Sequence, residues 1–71
     1  METKIILTDE QIAVIEKEIK GEYSPFHSSK EETAALQQVI ADAEKLAAEL
    51  DAYDEIESLV AWYYEKYKEQ Q

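Results

Sequence analysis

Seventy-one residues, with 17 Asp or Glu against 7 Lys and no Arg, give a formal charge of −10, and there is no Cys and a single His. A domain of this length buries only about 60% of the surface its unfolded chain exposes, which leaves little room for both a core and a substrate-enclosing cavity. Composition therefore argues against most enzymes, a disulfide framework and a thiolate zinc site, and points to a non-enzymatic binding protein without cofactor, housed in the cytoplasm. No stretch reaches the ~20 apolar residues of a membrane span, and Met1 to Lys20 lacks the basic start, apolar centre and cleavage site of a signal peptide. High charge is a mark of disorder. Against that, apolar types make up 45% of the chain and only one Gly and one Pro interrupt it, so the pattern predicts a single all-α domain over residues 1–71, a small three-helix bundle or helical hairpin.

In chain order, residues 3–7 form a short extended lead-in. Leu7 then precedes a capping box in which Thr8 and Gln11 satisfy each other's backbone amides, with Leu7 stapling Ile12. A first helix over 9–20 places Ile12, Ile15 and Ile19 on one face, and Gly21 supplies the left-handed residue that ends it. The turn from Glu22 to His27 contains Pro25, and Tyr23 and Phe26 are expected to fold back on the core. Ser29 with Glu32, or Ser28 with Glu31, caps a second helix over 30–50 whose seam is Leu36, Val39, Ala43, Leu46 and Leu50, widened by Ile40 and Ala47. Asp54 with Glu57 reads as a third capping pattern after a bend at 51–54, opening a third helix over 55–69 with Ile56, Leu59, Val60, Tyr63 and Tyr67 inward. The alternative is one unbroken helix over 30–69, about 60 Å long at ~1.5 Å per residue, which would need a partner or a second copy.

Motifs that carry chemistry are absent. Glu31 with Glu32, and Asp54 with Glu55, read as acids at helix N-termini rather than as a catalytic pair. His27 has no base-orienting residue around it and reads as a turn or capping residue. The spacings of an EF-hand, a bundle di-iron site, a dinucleotide-binding loop and a P-loop do not occur, so no metal or nucleotide is expected. Direct nucleic-acid binding and membrane-surface binding both fail on charge, since phosphates would meet a like-charged chain without Arg.

Two features exceed this background. Between Asp42 and Glu57 seven acids face one Lys, a net −6. At helical spacing such carboxylates lie about 5–6 Å apart, a repeat that can imitate a nucleic-acid strand toward a basic cleft and steer association with it; the alternative is a solvated face kept for solubility. Trp62, Tyr63, Tyr64 and Tyr67 form an aromatic end, and consecutive positions point about 100° apart, so at least one of Trp62, Tyr63 and Tyr64 is expected on the surface or under another chain.

The hexapeptide Leu7-Thr8-Asp9-Glu10-Gln11-Ile12, followed by an Ala/Leu/Glu-rich helix, resembles the small acidic helical proteins of bacteriophages and prophages. That group includes anti-CRISPR proteins and other inhibitors of host defence nucleases, several of which occupy a nucleic-acid site. The resemblance implies an inhibitor of a basic nucleic-acid-handling protein, such as a host defence nuclease, acting in the host cytoplasm. It carries over no functional residues. The charge and aromatic pattern nominates Asp42, Glu49, Asp51, Asp54, Glu55 and Glu57 for contact with Lys or Arg, and Trp62 and Tyr64 as apolar anchors. The second reading is a self-associating helical module, a homodimer, with the aromatic end as its interface.

Overall fold

In a computed structural model that describes residues 4–71, each of the three α-helices begins at a hydroxyl. Thr8 opens α1 (Asp9–Ile19), Ser29 opens α2 (Lys30–Glu49) and Ser58 opens α3 (Leu59–Glu69), each side-chain oxygen accepting from the amide three residues on. The first of these is the full reciprocal box, because the Thr8 amide also donates to Gln11 Oε1 at 2.9 Å. The middle one is half a box: Glu32 gives its amide to Ser29 at 3.1 Å while its carboxylate takes Lys17 at 3.0 Å, tying α2 to α1. A single 3-10 turn, Tyr53–Glu55, lies between α2 and α3, and the described residues contain no strand.

The ends of α1 and α2 share one hydrogen-bond pattern. Gly21 N–H reaches Glu18 O at 3.1 Å and Glu22 N–H reaches Lys17 O at 2.8 Å; likewise Asp51 N–H reaches Ala48 O at 3.2 Å and Ala52 N–H reaches Ala47 O at 3.0 Å. Both are Schellman closures, which require a left-handed residue just past the helix. Gly21 (φ 74°) and Asp51 (φ 52°) fill that position. The reversal at Asp51 rules out the unbroken rod.

The core joins Val14 and Ile15 of α1, Leu36, Val39, Ala43 and Leu46 of α2, Val60 and Tyr63 of α3, and Ile5 from the lead-in. Buried Ala43 and Ala47 remove side-chain bulk where α2 meets its neighbours. The molecule measures 37 × 24 × 18 Å, elongated by α2, whose 20 residues span about 30 Å.

Four expectations need correction. Helix 3 starts at Leu59 rather than 55, because Ser58 and not Asp54 caps it and the preceding residues are taken up by the 3-10 turn. The buried face of α1 runs between Val14 and Ile15, so Ile19, about 90° off that line, is 49% exposed. Tyr23 packs against the core, but Phe26 is 92% exposed, held outward by the turn in which His27 N–H meets Ser24 O at 3.1 Å with Pro25 between them. Leu50 is 54% exposed because it follows the last turn of α2 as the helix closes. Of the lead-in, Lys4–Leu7 makes no backbone ladder bond among the described residues and shows the alternation of an extended chain, Ile5 buried, Ile6 exposed and Leu7 half-buried; Thr3 lies outside the described residues.

Candidate functional site: the acidic corner

Buried Ala47 and exposed Ala48 carry α2 into its Schellman closure, their carbonyls accepting from Ala52 and Asp51, and the chain then turns twice before α3. Glu55 N–H meets Ala52 O at 3.0 Å and Ile56 N–H meets Tyr53 O at 3.3 Å, while half-buried Ala52 and Ile56 hold the segment to the body. Their neighbours point outward: Glu49, Asp51, Asp54, Glu55 and Glu57 are all exposed, and no Lys stands between Lys45 and Lys66. Asp51, Asp54, Glu55 and Glu57 make no ion pair or side-chain hydrogen bond among the described residues.

Helix electrostatics divide these acids. Partial negative charge gathers at a helix C-terminus, and the last turn of α2 holds no base, so Glu49 and Asp51 stand where a carboxylate is unfavourable by about 0.3–1 kcal/mol each at low salt. Glu57, just ahead of α3, lies near the favourable end of that helix. None of Asp51, Asp54, Glu55 and Glu57 belongs to an α-helix. The helical repeat expected for the acidic stretch thus holds only within α2, and the corner is a cluster carried on turns.

Asp42 stands apart from that cluster, seven residues before Glu49 on α2, and both border a groove whose other wall is the lead-in. Asp42 accepts from Gln38 Nε2 at 3.0 Å. Its charge also bears on Tyr63, whose hydroxyl is raised above the usual 10.0, first by burial and then by Asp42.

The aromatic end is engaged internally. Trp62 and Tyr64 are half-buried and pack against the core. Tyr64 donates its hydroxyl to Glu16 Oε1 at 3.4 Å, stacks on Tyr67 at 6.2 Å between centroids, and has Lys68 Nζ 4.8 Å from its ring centre. Desolvation and then Glu16 raise the Tyr64 hydroxyl above 10.0. The Tyr64–Glu16 bond joins α3 to α1, while the stack on Tyr67 and the Lys68 contact lie within α3.

His27 lies exposed in the α1–α2 turn. Among the described residues no group of three or more His, Cys, Asp or Glu is placed to hold a metal ion, and no helix is long and apolar enough to cross a membrane. Sequence reasoning missed the groove beneath the lead-in. It depends on Ile5 N–H reaching Gln70 Oε1 at 2.8 Å across 65 residues of chain, a contact with no local signal. No protein-family model, no curated protein and no solved structure matches this chain.

Proposed function

We propose that this protein is a non-enzymatic inhibitor or modulator of a basic, nucleic-acid-handling protein, which it blocks by setting the acidic corner into a site meant for phosphates. The observation that carries this reading is the turn at 51–57, where exposed carboxylates without internal partners collect beside the negative end of α2. A cluster placed for folding alone would have a base in that last turn, as α1 and α3 do with Lys17 and with Lys66 and Lys68. A partner surface rich in Lys or Arg would neutralise the corner and remove the local repulsion, so binding and relief of strain act together. Glu49 and Asp42 offer further carboxylates on α2, interspersed with Lys45, and the half-buried rings of Trp62 and Tyr64 supply apolar contact. The resemblance to phage anti-defence proteins supports the same reading, with the host cytoplasm as the place of action.

The test is retention of nucleic-acid-binding proteins from bacterial lysate on the immobilised chain, eluted with a salt ramp. The control carries Asp51→Asn, Asp54→Asn, Glu55→Gln and Glu57→Gln, all at exposed positions, with its helicity checked by circular dichroism. The native chain should hold a basic protein that rising salt and added duplex DNA both release, and the control should not. Equal retention by a folded control would refute the proposal.

A further inference from the structure

Lys4–Leu7 lies outside the helices and has the burial alternation of an extended chain. Its attachment is secure on one side only: Ile5 is 3% exposed and its amide donates to Gln70 Oε1 at 2.8 Å. In an extended chain successive residues turn their N–H and C=O groups to opposite edges. Ile6 therefore presents both its backbone groups away from Gln70, and it makes no hydrogen bond among the described residues. Its side chain is 77% exposed, so a β-branched residue and a free backbone edge coincide at one position. An edge of this kind is a template for another strand.

The occupant follows from charge. The groove beside Ile6 has Ile5, Leu46 and Tyr63 on its floor. Lys4, Lys45, Asp42 and Glu49 also line it, two charges of each sign. A balanced rim can meet its own copy under a two-fold rotation with opposite signs in contact, whereas the corner at 51–57 would repel a copy of itself. The groove between α1 and α3 also has a mixed rim, with Glu16, Lys20, Glu65 and Lys68, but Tyr64 and Glu16 close across it and it offers no backbone edge.

We propose that Lys4–Leu7 of two copies pair as an antiparallel two-stranded ribbon about a two-fold axis at Ile6. The two Ile6 residues exchange N–H to O=C bonds and their side chains form a cross-strand pair over the groove. An isolated ribbon of this length is marginal in water. Here each strand is already ordered by its own helices, which reduces the entropy lost on pairing. The contact is small beside interfaces of about 800 Å² per partner, so the dimer is weak and in exchange with monomer.

Sedimentation velocity from micromolar to millimolar concentration, with exchange of the Ile6 amide followed over the same range, tests the proposal on the full chain. A monomer–dimer equilibrium is expected, with the Ile6 amide gaining about tenfold or more protection as dimer forms. Ile6→Pro, which removes that amide, and Ile6→Lys, which keeps it but charges the pair, should each shift the equilibrium to monomer with helicity unchanged. The variant lacking the four corner carboxylates should still dimerise, which separates this contact from the acidic corner. A native chain that stays monomeric throughout, or an Ile6→Lys chain that dimerises as well as the native one, would overturn it.

Discussion

The C-terminal ends of α1 and α2 are closed by the same pair of hydrogen bonds and differ in what fills them. After α1 the left-handed position is Gly21, with Lys17 in the last turn and Lys20 at the cap. After α2 it is Asp51, with no base in the last turn and Glu49 beside it. A left-handed backbone costs most L-residues about 1–2 kcal/mol, somewhat less for Asp, and Gly almost nothing. The end of α1 is therefore built for stability, and the end of α2 departs from that optimum in both torsion and charge. One geometry thus carries two chemistries, and the proposed function assigns the departure at the second end to a partner.

Substitutions can break or sharpen this contrast. The largest effect belongs to the core beneath both ends: Ile15→Ala, at a fully buried position, should lower stability by about 2–5 kcal/mol. Set against a total of roughly 0.05–0.15 kcal/mol per residue, that loss should melt both ends together in a thermal scan, and separate melting of α3 would contradict a single core. Next comes Gly21→Ala. A Cβ there meets nothing within 4 Å, so the expected loss of about 1–2 kcal/mol in urea unfolding is torsional alone; a smaller loss would show that the left-handed position matters less than the contrast requires.

At the start of α3, Ser58→Ala should lose about 0.5–1 kcal/mol, toward the low end for a cap because its bond is long at 3.4 Å. Asp54→Ala should leave α3 unchanged, which distinguishes the two capping assignments by amide exchange in the first turn. Asp51→Asn keeps the side-chain shape and removes the charge, so it should gain a few tenths of a kcal/mol at low salt, and the gain should fade as salt rises. The smallest effect concerns pH. Tyr63 and Tyr64 ionise above 10.0 in the folded chain. A raised folded value means that their contribution is complete below the unfolded value near 10 and is lost as pH rises through the folded values. Absorbance titration should show two late-ionising tyrosines, ahead of or together with alkaline unfolding.

Much of this fold could be read from local pattern. Thr8 with Gln11, Ser29 with Glu32, and Gly21 announce themselves within four residues, and the seam Leu36, Val39, Ala43, Leu46 is buried as its spacing requires. What escaped depends on competition or distance. Asp51 takes the left-handed position although Gly or Asn is the usual sign of it, and Ser58 wins over Asp54 because the chain needs a 3-10 turn before α3 can start. Phe26 is expected inward with Tyr23, while the turn fixed by Pro25 decides its direction. The acids at 51–57 were legible as composition. Their separation from Asp42, and the internal engagement of Trp62 and Tyr64, follow from tertiary packing that no short window contains.

The most direct test of the contrast is equilibrium urea unfolding of Asp51→Gly beside the native chain at low salt. Glycine removes the torsional and the electrostatic penalties together, so the transition should move to higher urea with an unchanged slope, by about 1 kcal/mol. A midpoint equal to or below that of the native chain would contradict the claim that the end of α2 holds its acid against the interest of the fold.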